Sequence, residues 1–274
     1  MKAPDFDYHK PGTRADALAL MAGAEASALA GGQSLMPMMN FRLSAPEALV
    51  DLNAIDDLAG IARAGDTLVI GAMTRYAALE ASDLVAQNAP LIAKALPHIA
   101  HPAIRNRGTI GGSCALADPA AEMPALLLAL GAQIEVQSAT ATRRVAADDF
   151  FLGLYETARA ENELVVAIHV PVADVGQHFG FYEIARRHGD YAMAGCACVA
   201  ASDLSWVRLA FFGVCDRAVR VPAAERALAG DADIDRAIAA LDQIDFAADA
   251  HADATTKRHL AGVALRRAWA DRTT

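Results

Sequence analysis

The 274-residue chain has only four cysteines, Cys114, Cys196, Cys198 and Cys215, and none of them are paired as C-x-x-C. That gives no support to a zinc ribbon or an iron–sulfur cluster ligated within the chain and leaves buried, reduced thiols as the expectation. Among the eight histidines there is no H-E-x-x-H or similar ligand spacing, so a metal centre has no support. No stripe of Lys or Arg interrupts a formal net charge of −9, which argues against nucleic acid as a partner, because its phosphates would go unneutralised. The opening Met1-Lys2-Ala3-Pro4-Asp5-Phe6-Asp7 lacks the apolar run of a signal peptide. No stretch approaches the ~20 apolar residues of a membrane span. A cytoplasmic protein without membrane insertion is therefore expected. The fingerprint G-x-G-x-x-G is also missing, so a separate Rossmann site for a nicotinamide cofactor is not expected.

The sequence does contain two glycine turns, Ala30-Gly31-Gly32-Gln33-Ser34 and Thr109-Ile110-Gly111-Gly112-Ser113. Adjacent glycines beside Ser or Thr let backbone approach a ligand with no Cβ in the way, and they aim several N–H groups at one point, which suits a diphosphate. On that reading, Val at Gly32 or Gly111 blocks the ligand while the protein still folds. After the second turn, Asp118-Pro119 reads as an N-cap and first helical position for a helix over 120–129, closed by Gly131. Arg105 and Arg107 are more simply assigned to solvent or to a carboxylate than to the site.

Around these turns the pattern predicts strands at 6–9, 26–30 and 48–52 with a helix from a Thr13 cap to Ala22, a small β-α-β-β unit. Leu35, Met36, Met38 and Met39 are assigned mainly to core. A hairpin over 61–71 follows, then a helix opened by Thr74, a helix over 91–99 interrupted by Pro97, a hairpin of 133–137 with 143–145, and a strand at 163–170. A composition shift at 172–177 marks a domain boundary. Beyond it, 179–185, 195–201 and 206–214 read as a three-stranded meander, followed by helices at 223–228, 234–241 and 256–269, an α+β domain.

Longer motifs carry a resemblance to a known family. Ala30-Gly31-Gly32-Gln33-Ser34-Leu35-Met36-Pro37-Met38-Met39-Asn40-Phe41-Arg42-Leu43, Leu49-Val50-Asp51-Leu52, Thr109 to Ser113 and Asp118-Pro119-Ala120-Ala121-Glu122-Met123-Pro124-Ala125, with Arg187-His188-Gly189-Asp190-Tyr191 later, closely resemble the FAD-binding medium subunit of molybdenum hydroxylases, the carbon monoxide dehydrogenase and xanthine dehydrogenase type. The resemblance runs nearly end to end. It implies an α+β chain: a two-part FAD-binding domain of the vanillyl-alcohol oxidase (PCMH) type at 1–173, with subdomains of about 1–55 and 56–173, and a small C-terminal domain at 174–274. It implies that Ala30, Gly31, Gly32, Gln33, Ser34 and Leu35 with Thr109, Ile110, Gly111, Gly112 and Ser113 hold the diphosphate and ribityl chain. Asp118 would bond a polar group of the cofactor, Asp190 and Tyr191 would lie at the isoalloxazine edge, and Leu164 would line an apolar wall.

The resemblance further implies a heterotrimer, often dimerised, with a small subunit carrying two [2Fe–2S] clusters and a large subunit carrying molybdopterin. Gln33 stands where flavin-linking relatives of the wider fold carry His, so non-covalent FAD is expected. The cysteine-bearing insertion for a [4Fe–4S] cluster is missing, so that cluster should be absent. On this view the chain passes electrons and performs no chemistry on the organic substrate. Two rivals stay open at this stage, an independent FAD-dependent oxidoreductase of the same fold and an assembly subunit that has lost its flavin.

Overall fold

The computed structural model describes residues 2–23 and 25–272; residues 1 and 274, the outer limits of the two expected domains, lie outside these. Strand β1 (Asp7–His9), helix α1 (Arg14–Met21), β2 (Ala26–Leu29), α2 (Leu35–Asn40) and β3 (Ala48–Asp51) make a first unit, whose strands run parallel in the order β1-β3-β2. The expected β-α-β-β unit is therefore corrected to β-α-β-α-β. The Leu-Met-Pro-Met-Met run is good helix former, and Pro37 sits within the first turn, where a missing N–H costs nothing. Thr13 caps α1 by accepting from the Asp16 N–H. Ala17, Leu18 and Met21 of α1 pack with Val50 and with Leu164 and Val166 of the next unit, so this small unit gains its core by docking.

The second unit is an antiparallel sheet ordered β4-β5-β10-β6-β7. It contains β4 (Ile61–Ala64), β5 (Thr67–Gly71), helices α3 (Tyr76–Glu80), α4 (Asp83–Asn88), α5 (Pro90–Ala95), α6 (Pro102–Arg105), α7 (Ile110–Leu116) and α8 (Glu122–Leu130), then β6 (Gln133–Gln137), β7 (Thr142–Ala146), α9 (Ala147–Phe150), the short pair β8 (Phe151–Gly153) and β9 (Glu156–Thr157), and β10 (Leu164–Pro171). The hairpins and the long apolar strand form as their patterns predict. Thr74 does not open a helix: it donates to the Gly60 carbonyl and accepts from the Gly60 N–H, both at 3.0 Å, and α3 starts two residues later.

The C-terminal unit orders β11 (His178–Ala185), β12 (Ala192–Ala200), β13 (Val207–Phe212) and β14 (Val219–Arg220) in one antiparallel sheet, followed by α10 (Pro222–Leu228), α11 (Ile234–Ala239) and α12 (Ala254–Ala270). The expected three-stranded sheet thus has a fourth strand, two residues long and too short to show an alternating pattern. Both faces of this sheet are covered. Ala194, Cys196, Cys198 and Ala200 point to the helices and Ala197 and Val199 to the N-terminal units, as the two-residue period of a strand requires. Burial raises the Cys196 and Cys198 thiols well above their ordinary value, in keeping with inert, reduced cysteines.

Between the two larger sheets lies α8, whose residues Glu122 to Ala129 are all buried. A helix apolar around its whole circumference is a core helix, and its Leu126 and Leu127 share one hydrophobic cluster with Phe181 and Phe212 of the C-terminal sheet. Among the described residues no helix is long and apolar enough to cross a membrane.

Helix α12 lies so close to the sheet that a Cβ on Gly180 would overlap the Ala268 carbonyl, whereas one on Gly12 would meet nothing within 4 Å. Backbone atoms cannot move aside as a side-chain tip can, so Gly180→Ala is expected to cost about 1–3 kcal/mol. Urea unfolding of Gly180→Ala beside Gly12→Ala measures this, the second variant staying within about 0.5 kcal/mol of the parent.

Candidate functional site in a cleft between two glycine turns

The first turn follows the C-terminal end of β2. Gly32 holds φ = +72°, a left-handed conformation that a Cβ would strain. The Gln33 side chain folds back and donates to the Gly31 carbonyl at 3.0 Å, closing the turn on itself. Met36 and Met38 donate their N–H groups to the Gly32 and Ser34 carbonyls. Among the described residues, no hydrogen bond is donated by the N–H groups of Gly32, Gln33, Ser34 or Leu35. The Ser34 side chain, just before α2, makes no capping bond. Four successive free donors and a free hydroxyl form a concave, partially positive surface suited to an anionic oxygen cluster.

The second turn is built differently, which corrects the sequence reading. The helix that it feeds begins inside the motif: Thr109 is the N-cap of α7, accepting from the Gly112 N–H at 3.1 Å. The Ile110 N–H donates to the Thr74 carbonyl, that of Gly111 to the Ala72 carbonyl and that of Ser113 to the Thr109 carbonyl, so the donors of this turn are already used within the protein. Asp118 caps nothing at the start of α8, whose N-cap is Ala121. It lies in the α7–α8 connection, and its Oδ1 accepts the Ala120 N–H at 2.9 Å. The Ser113 hydroxyl accepts from the Tyr76 hydroxyl at 2.5 Å, leaving its own proton to donate. Ile110 is fully buried and packs into the main core.

Glycine lets the two turns touch. A Cβ on Gly31 would overlap the Arg107 carbonyl and lie 2.9 Å from the Gly108 Cα; one on Gly112 would come within 3.6 Å of the Ala30 Cβ. Side chains clamp the same junction. Asn53 donates to the Ala30 carbonyl at 3.0 Å, and Arg75 bridges the Asn53 side-chain oxygen and the Arg107 carbonyl. Asp51 accepts from the Asn53 backbone at 2.9 Å and from the Tyr8 hydroxyl. Burial pushes the Asp51 carboxyl up, but its hydrogen bonds from Tyr8 and Asn53 hold it below the usual carboxylate range. Arg105 is bound to Glu80 at 3.0 Å, a structural pairing.

The result is a cleft of about 270 Å³. Ala30 through Leu35 form one side, Thr109, Gly111, Gly112 and Ser113 the other, and Leu164 lines it from β10. Leu35 and Met38 also face it, so only Met39 of the residues assigned to core is buried. Arg159 and Glu163 line the cleft as well and were not foreseen. Arg159 donates to the Glu163 carbonyl at 2.8 Å and the Ala160 carbonyl at 2.9 Å, and a single Arg in a loop carries no motif that would have singled it out.

Ile110, Asp118, Asp190 and Tyr191 lie outside this cleft lining. Asp118 joins a second cluster with Tyr155, Glu122 and Tyr191. Burial raises its carboxyl against hydrogen bonds from the Ala120 N–H and Tyr155. Tyr191 keeps 66% of its surface open, yet desolvation, with the charges of Asp118, Tyr155 and Glu122, pushes its phenol up to about 12. Asp190 is exposed, its N–H bound to the Arg187 carbonyl at 3.1 Å. Helix α7, about 10 Å long, has its first turn at the cleft and ends next to this cluster. Among the described residues no group of His, Cys, Asp and Glu could hold a metal ion.

The glycine geometry corrects one expectation directly. A Cβ on Gly111 would overlap the Ala72 side chain and lie 2.7 Å from the Ala72 carbonyl, pointing into protein and not into the cleft. Gly111→Ala is thus expected to destabilise the fold by about 1–3 kcal/mol, and the bulkier Gly111→Val to fold poorly. Thermal unfolding of the ligand-free protein checks this; an unchanged midpoint in Gly111→Ala would contradict the packing role.

Residues 4–173 match the FAD binding domain in molybdopterin dehydrogenase, and residues 180–271 match the CO dehydrogenase flavoprotein C-terminal domain. The chain is similar to the 6-hydroxypseudooxynicotine dehydrogenase complex subunit alpha of Paenarthrobacter nicotinovorans, 42% identical over 92% of this chain and 84% of that one. It is 40% identical to the carbon monoxide dehydrogenase medium chain of Hydrogenophaga pseudoflava over 98% and 97% of the two chains. A solved structure of carbon monoxide dehydrogenase from that organism superposes with a TM-score of 0.95 at 41% identity, over 98% of this chain and 99% of that one. The chain belongs to the FAD-binding medium-subunit family of molybdenum hydroxylases.

Proposed function

We propose that the cleft holds FAD non-covalently and that the chain is the flavoprotein subunit of a heterotrimeric molybdenum hydroxylase, receiving electrons from [2Fe–2S] clusters of a small subunit and passing them to an outside acceptor. The observation that carries this reading is the row of unused N–H donors from Gly32 to Leu35, which matches the acceptor oxygens of a diphosphate. Ser34 and Ser113 would hold polar groups along the same path, Leu35, Met38 and Leu164 would exclude water from it, and Asp118 would bond the cofactor beyond α7. With Gln33 turned back onto Gly31, no histidine is available there for covalent attachment. FAD, when bound, supplies the capacity to take electrons singly or in pairs, which no side chain here offers.

Asp190 and Tyr191 are assigned to the edge of the flavin ring, with Tyr191 shielding it. The relatives named as medium chains and subunits support a small iron–sulfur partner and a large molybdopterin partner, and we extend this to a dimer of heterotrimers in the cytoplasm. The N-terminal part is assigned to the vanillyl-alcohol oxidase type, with the division between domains at 172–177, where β10 gives way to β11.

The isolated chain should purify with FAD that acid precipitation releases intact, and Tyr191→Ala should change the flavin spectrum or midpoint while barely altering stability. Mixed anaerobically with candidate organic substrates, the lone chain should not bleach; addition of the small and large subunits should restore substrate-dependent bleaching. Catalytic bleaching of the lone chain would replace this reading with an independent oxidoreductase.

A further inference from the structure

Electrons that arrive through iron–sulfur clusters bring no protons, yet a flavin that takes up two electrons also takes up protons. Resting on the flavoprotein reading above, this raises the question of which groups of the chain deliver them. Glu122, the first residue of α8, is buried where the two large units meet. Glu183 on β11 has a side chain only 5% exposed, and its Oε2 is buried with no hydrogen-bond partner among the described residues. Its other oxygen, Oε1, lies 3.6 Å from the His98 Nδ1. His98 itself is 40% exposed and packs beside the exposed His188, ring centroids 5.7 Å apart. Glu122 lies within the electrostatic reach of Glu183 and Asp118, and Tyr191 within that of Glu122, so a series of ionisable groups extends from the part-exposed His98 towards the Asp118 and Tyr191 cluster. An unpaired, buried carboxylate oxygen is costly unless it serves a function.

We propose that His98, Glu183 and Glu122 form a proton relay from solvent to the flavin, with Glu122 the terminal donor and Glu183 and His98 reloading it. In each transfer the O–H bond of Glu122 breaks and an N–H bond forms on the flavin. Glu122, now a carboxylate, is reprotonated by Glu183, which receives its proton from the His98 imidazolium; His98 is recharged from water. The balance is two electrons from the iron–sulfur donor and two protons from bulk solvent. The charge environment keeps the donor loaded near neutrality. Glu122 faces Asp118 from the preceding connection, Tyr76 from α3, Glu183 from β11 and Tyr191 from the β11–β12 turn. Burial, eased by its own backbone N–H and reinforced by the charges of Glu183 and Asp118, raises its carboxyl to about 8, as expected where carboxylates crowd in a desolvated site.

The test uses the full chain loaded with FAD and rapidly mixed, without oxygen, with the methyl viologen radical, a one-electron donor that carries no proton. Parent bleaching should slow as pH rises through about 8. Glu122→Gln should bind FAD in the parent's ratio but bleach about 100-fold more slowly, with no such pH dependence, and Glu183→Gln should behave likewise. His98→Ala, at the surface end, should also be slowed and be rescued by added imidazole, which a merely structural role would not give. Infrared difference spectra of the FAD-free chain supply a readout independent of reduction: a carboxylic-acid C=O band that fades above pH 8 and is missing from Glu122→Gln. Glu122→Gln with normal FAD content, parent rate and parent pH profile overturns the relay, as does His98→Ala with parent rate, or a parent without the acid band at pH 7. A parent chain that binds no FAD overturns the flavoprotein reading instead, so the two failures are distinguishable.

Discussion

The structure depends on one close approach, the Gly31 α-carbon against the Arg107 carbonyl and the Gly108 backbone. Any Cβ at Gly31 would push the two turns apart, and the cleft exists only because they meet. The clamp around that contact draws on three segments: Asn53 after β3 reaches Ala30, and Arg75 before α3 ties Asn53 to Arg107. The parallel unit and the antiparallel sheet are thus joined at the site itself. A ligand bound there contacts both units, and its binding energy also opposes their separation.

The two turns look alike in sequence and divide the work between them. The first leaves its donors free; the second spends its donors on Thr74, Ala72 and Thr109 to fix the start of α7. Its glycines serve packing, Gly111 against Ala72 and Gly112 beside Ala30. A preorganised wall opposite a row of open donors lets binding proceed with little reordering of either. Helix α8 extends this rigidity to the junction with the C-terminal sheet, where it places a carboxyl beside Glu183.

Much of this was legible from residues alone. Strict alternation in Gln133–Gln137 and the apolar run of residues 164–168 in β10 located their strands, and the paired glycines located the candidate cleft. Other features depended on contacts between segments distant in the chain. Thr109 caps α7 whereas Asp118 leaves the N-cap position of α8 to Ala121, because a cap is decided by which side-chain oxygen meets a free N–H, and both residues satisfy the composition rule. The direction of the Gly111 Cβ, into Ala72, has no signature in sequence. Val219–Arg220 is a strand only because β13 offers it an edge. Arg159, Asn53 and Arg75 act through tertiary placement, and no local pattern marks them.

The unequal division between the turns is the central claim, and amide hydrogen exchange tests it most directly. Exchange at 32–35 and 110–113 would be followed in the FAD-free chain and again after FAD is added in excess. The account predicts fast exchange at Gly32 to Leu35 that slows markedly on binding, and amides at Ile110 to Ser113 that are protected beforehand and change little. Protection appearing at the second turn alone, or no change at the first, would contradict it.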